Sequence, residues 1–105
     1  MERVNDGRRY PRFKLDVEIS IRARGKPRLR GRTVDISESG ISAMLTLEVE
    51  VGALVEVEFE ASPAKVSALA VARQRNAFRY GFQFVDPDST REVIRGICEQ
   101  LPPCT

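Results

Sequence analysis

The chain has 105 residues, 42% hydrophobic and 30% charged, the proportions of one ordinary folded domain. Two cysteines and no histidine exclude a Ser-His-Asp triad, a His-ligated metal and a disulfide framework. The net charge of +2 hides an asymmetry: residues 1–32 hold eleven Lys/Arg against four Asp/Glu, and residues 33–105 hold six against eleven. The positive field therefore lies at the N-terminal end, where it would draw an anionic partner.

Residues 1–12 are polar and basic, contain Gly7 and Pro11, and read as a flexible tail. From Phe13 to Arg22 the chain alternates, with Phe13, Leu15, Val17, Ile19 and Ile21 on one side and polar residues on the other, as in a half-buried strand. Gly25-Lys26-Pro27 turns the chain into a second strand, Leu29 to Ile36, antiparallel to the first. Ser37 to Gly40 breaks it, and Ile41 to Leu47 forms a third. After Gly52 a fourth begins near Leu54, with Val55, Val57 and Phe59 alternating with glutamates. Ser62-Pro63 leads to a fifth, Lys65 to Arg73. Asn76 lies near a turn, and Phe78 to Val85 is the last strand, with Gly81 marking a bulge or a close contact.

The period then changes. Val93, Ile94, Ile97, Cys98 and Leu101 share one helical face, Ser89 and Glu92 have capping-box spacing, and Pro102 stops the helix. Cys98 reads as a buried structural thiol. Six short antiparallel strands solve their edge problem by closing into a barrel, which the helix would cover. The expected class is mainly β: a six-stranded antiparallel barrel with a C-terminal α-helix, occupying residues 13–101 between the tail and a C-terminal segment 102–105. No apolar run is long enough to span a membrane and the N-terminus has no apolar leader, so a cytoplasmic location without membrane insertion is expected.

Two short motifs carry chemistry. Arg8-Arg9-Tyr10-Pro11-Arg12 lies just before the first strand, and Asp35-Ile36-Ser37-Glu38-Ser39-Gly40 ends the second. Arg-x-x-x-Arg occurs five times among fourteen arginines and means little alone. Only the Arg8/Arg12 pair sits in a tail immediately before a strand; Asp-x-Ser-x-x-Gly is much rarer. The arginines offer cationic forks for phosphate and for the O6/N7 acceptor edge of guanine. Asp35 offers an acceptor for the N1–H/N2–H donor edge, or closes an Asx-turn. Ser37 bonds either a ligand or the turn backbone, and Gly40 supplies a positive φ and a close backbone approach. Together they make a pocket for an anionic guanine nucleotide.

This pair of motifs, in a small barrel with a C-terminal helix, resembles the PilZ domain family over nearly the whole chain. Tyr80-Gly81-Phe82-Gln83-Phe84 resembles the family's last strand. The resemblance implies a split-barrel fold and binding of the bacterial second messenger cyclic di-GMP, in a stand-alone member with no cofactor and no catalytic or metal site. Arg8, Arg12, Asp35, Ser37 and Gly40 match the family's motifs, and Arg9 lies between the arginines as an additional phosphate contact. Binding would order residues 1–12 and change the surface offered to a downstream protein partner.

Two other readings compete. A PilZ-like adaptor acting through protein contacts alone would not need Arg12 or Asp35. A barrel for single-stranded nucleic acid would need exposed aromatics, whereas aromatics are 7% of the chain, Trp is absent and Phe13, Phe59, Phe82 and Phe84 fit buried positions. No nucleic-acid partner is expected.

Overall fold

The computed structural model describes residues 10–104. Seven strands, β1 (Phe13–Lys14), β2 (Glu18–Ala23), β3 (Leu29–Ile36), β4 (Gly40–Leu45), β5 (Leu54–Ala61), β6 (Ala64–Asn76) and β7 (Arg79–Phe84), precede one helix, α1 (Pro87–Cys98). All pairings are antiparallel, and β3, β2, β5, β6, β7 and β4 follow one another until β4 pairs back with β3. That closed ring is the expected six-stranded barrel. Closure leaves no hydrogen-bonding edge for the ring as a whole, and β1 is a short addition beside β3.

The expected first strand is split. Phe13 and Lys14 pair with Ile36 and Asp35, but Glu18 pairs with Arg32, a slip of one residue. Thr33 fills the break: its hydroxyl donates to Leu15 O at 2.6 Å and accepts from Val17 N at 2.9 Å. Hydrophobic alternation survives because Leu15, Ile19 and Ile21 still point inward. The slip leaves the core covered.

The barrel core is formed by inward residues of every ring strand, among them Ile21, Ile36, Ile41, Val57, Ala70 and Phe82. α1 packs against β6 and buries Ile94, Ile97 and Cys98 in the core, while Val93, expected on the same face, is 42% exposed. The helix also starts earlier than the Ser89/Glu92 spacing predicts. Asp86 is its N-cap residue and Pro87 occupies the first turn, where a fixed φ and a missing N–H cost nothing. Ser89 is thus already helical, and its hydroxyl donates to Asp86 O at 2.9 Å rather than making a capping box. Among the described residues, no helix is long and apolar enough to cross a membrane.

Burial, with Glu38 adding a smaller effect, pushes the Cys98 thiol up to about 11. The nucleophilic thiolate is therefore scarce near neutral pH. In the native domain at pH 7.5, Cys98 is expected to react with a thiol reagent only as fast as the protein opens. Peptide-resolved alkylation checks this, and modification of Cys98 at the rate of an unfolded peptide would contradict it.

Candidate functional site

The site lies on the outside of the barrel, where two bulges re-aim the strands. Register between β3 and β4 shifts between Thr33 and Asp35, and between β6 and β7 between Ala72 and Gln74. Asp35 then stands opposite Ser42, Ser42 opposite Gly81, and Gly81 opposite Gln74. Ile36, Ile41, Ala43, Tyr80 and Phe82 are buried in the core, so by alternation the row of Asp35, Ser42 and Gly81 faces outward. Gly81 presents no side chain, which keeps this floor open. Its expected bulge is on β6, directly across from it.

Arg12 enters from the start of β1. Its Nη1 donates to Asp35 Oδ1 at 2.7 Å and to Ser42 Oγ at 3.1 Å. Its Nε is buried with no hydrogen-bond partner among the described residues. From the other side Arg79, at the start of β7, donates Nη2 to Asp35 Oδ2 at 2.8 Å. One carboxylate therefore holds two guanidinium groups, and its side chain is only 7% exposed. Arg12 is also tied through its backbone: Cys104 N donates to Arg12 O at 2.9 Å, and Lys14 N donates to Pro102 O at 2.8 Å.

A cleft of about 630 Å³ opens beside this cluster, lined by Arg12, Ser42, Gln74, Arg75, Arg79 and Gly81 among others. Its volume lies within the range of about 300–1,000 Å³ usual for small-molecule sites. Arg75 is already engaged, with Glu48 Oε2 at 3.0 Å and Ala77 O at 3.0 Å, and it lies over the Tyr80 ring at 5.5 Å. Such a cleft, rich in guanidinium donors around one carboxylate, suits an anion that also carries a donor edge.

The Ser37–Gly40 turn borders the site as structure. Ser37 N donates to Gly40 O at 2.9 Å, and Ser37 Oγ accepts from Ser39 N at 3.2 Å. Of the two roles open to it in sequence, Ser37 here takes the turn backbone. Gly40 is not in the positive-φ region, where the glycines among the described residues are Gly25 and Gly52. Its requirement is proximity: an added Cβ would stand 2.3 Å from Phe82 O. Between them Glu38 bonds Arg95 at 3.3 and 3.4 Å and faces Arg91 at 3.8 Å, fastening the turn to α1.

The structure thus brings Arg12 and Asp35 together and sets Ser37 and Gly40 in the adjoining turn. Arg8 and Arg9 lie outside the described residues. Sequence reasoning missed Ser42 and Arg79. Ser42 has no local signature, being placed only by β3–β4 register. Arg79 did have one, as the second member of the Arg75/Arg79 repeat flanking a hairpin turn, but the spacing alone could not separate it from three other repeats.

The fold has counterparts among solved structures. The cyclic di-GMP-bound PilZ domain of YcgR from Escherichia coli superposes with a TM-score of 0.77 at 18% identity, over 91% of this chain and 92% of that one. The Bacillus subtilis inhibitor of motility MotI/DgrA gives 0.74 at 18% identity over 95% of this chain, which spans 53% of that longer protein. The PilZ domain of CeSA from a cellulose-synthesizing bacterium gives 0.67 at 14% identity, over 82% of this chain and 96% of that one. At these identities the likeness is one of fold. No curated protein matches the chain. The sequence model of the PilZ domain matches residues 6–100, nearly the full length, and the chain belongs to the PilZ domain family.

Proposed function

We propose that this domain is a receptor for cyclic di-GMP, and that it relays binding to a partner protein in the bacterial cytoplasm by ordering its N-terminal tail. The observation that carries the reading is the 2.7 Å contact between Arg12 and Asp35, which makes one site of two motifs 23 residues apart. The fold shared with a cyclic di-GMP-bound PilZ domain supports it. In this reading Arg8, Arg9 and Arg12 take phosphate oxygens and guanine O6/N7, and Asp35 accepts N1–H and N2–H. Ser37 and Gly40 hold the turn that lets the base approach. The domain acts by binding, without a catalytic step.

The relay follows from the energetics of ordering. Fixing a backbone residue costs roughly 1–2 kcal/mol. Charge-assisted hydrogen bonds contribute about 1.5–3 kcal/mol each, so a few made by the three arginines offset the ordering of a short segment. A pinned tail would give the bound domain a surface the free one lacks, which is an order–disorder switch.

Hydrogen exchange with and without saturating cyclic di-GMP tests both halves. Protection is expected in residues 5–13 and in the turn 35–40, and GTP is expected to give little of either. Protection of the turn alone would remove the relay and keep the receptor. No change in either segment would refute the reading.

A further inference from the structure

We infer that Arg79 is a third ligand-binding arginine, one that surrenders Asp35 to the incoming guanine and closes on the nucleotide's phosphate. The inference rests on the cleft being a cyclic di-GMP site. Arg12 and Arg79 each occupy one oxygen of Asp35, at 2.7 and 2.8 Å. The carboxylate retains lone pairs, but its side chain is 7% exposed, so no base edge reaches it past both guanidinium groups. One of the two has to move.

The structure distinguishes which. Arg12 is 27% exposed, bonds Ser42 as well as Asp35, and has its carbonyl held by Cys104 N. Arg79 is 50% exposed and holds Asp35 through a single bond. A half-exposed guanidinium loses little by returning to water, so Arg79 yields. It stands at the wall of the cleft and needs only a rotamer change to face an anion bound there. Its planar fork suits two phosphate oxygens at once. Arg75 cannot take this part while Glu48, the Ala77 carbonyl and the Tyr80 ring hold it. Arg79 thereby couples the two halves of recognition: the base edge that displaces it releases the cation that the phosphate needs.

Calorimetric titration of cyclic di-GMP into wild type, Arg79→Ala, Arg79→Lys and Arg12→Ala, at low and at high salt, tests this. Arg79→Ala is expected to weaken binding by more than about fivefold, the loss of one charge-assisted contact, and to bind with a shallower salt dependence than wild type. Arg79→Lys is expected to recover part of both. A smaller effect, or tighter binding by Arg79→Ala, would overturn the inference. So would weakening with an unchanged salt dependence, since that is what a merely misplaced Asp35 would give. If wild type and Arg12→Ala behave as a receptor and its weakened variant, only the role of Arg79 falls. If wild type does not bind, the receptor reading falls with it.

Discussion

Asp35→Asn is expected to leave a folded barrel and to lower cyclic di-GMP affinity by about tenfold to a hundredfold, through loss of one hydrogen bond of about 1.5–3 kcal/mol. The substitution keeps the shape of the side chain and changes its donors. A carboxylate meets guanine N1–H and N2–H with two acceptors, whereas an amide offers one acceptor and sets its own N–H against the other. The same mismatch affects one of the two arginines that Asp35 holds. Because Arg12 and Arg79 are 27% and 50% exposed, the displaced guanidinium can return to water, and the cost in stability is held to about 1–2 kcal/mol. Calorimetry gives the affinity and a thermal melt gives the stability. Near-native affinity in a folded Asp35→Asn would remove this residue from the site.

The largest stability loss is expected from Gly40→Ala. The new Cβ would meet Phe82 O at 2.3 Å, Phe82 C at 3.3 Å and Gln83 Cα at 3.4 Å, all backbone atoms of β7. A flexible side chain could turn away, but here β4 and β7 have to separate, and the ring depends on that pairing. Overpacking of this kind costs about 1–3 kcal/mol or more. In a domain of this size that lowers the melting temperature by roughly 4–8 °C per kcal/mol. A fall of about 10 °C, with weakened cyclic di-GMP binding because the floor of the cleft shifts, is the expected result. An unchanged melting temperature would show that the strands relax freely and that the close approach does not require glycine.

The sequence predicted the barrel well because its strands follow one rule throughout. Inward residues such as Ile19, Ile21, Val55, Val57, Phe82 and Phe84 alternate with polar ones, and period-two alternation with one buried face leaves little other choice. It predicted less well wherever two local rules competed. The kink between β1 and β2 is invisible in the alternation because Thr33, eighteen residues past Leu15, supplies the bonds that fill it. The Ser89/Glu92 spacing predicts a helix start at Ser89, but Pro87 two residues earlier is a stronger start. Gly40 was expected in a left-handed turn, and its constraint proved to be a strand neighbour more than forty residues away in the chain.

The site shows the same division. The motifs bearing Arg12 and Asp35 stand out in sequence because each sits at the edge of a strand. Their meeting point does not, since it depends on bulges in β3–β4 and β6–β7 that set Ser42 and Gly81 in one row. Arg79 reaches Asp35 across 44 residues of chain, a contact that only barrel closure creates.

The most direct test of the account is calorimetric titration of cyclic di-GMP into the wild-type protein, with GTP as the control ligand and Arg12→Ala beside it. Saturable binding of cyclic di-GMP is expected, with little response to GTP and clear weakening by Arg12→Ala. No heat with cyclic di-GMP, and no binding by a second method, would contradict it and leave a PilZ-fold adaptor that acts through protein contacts alone.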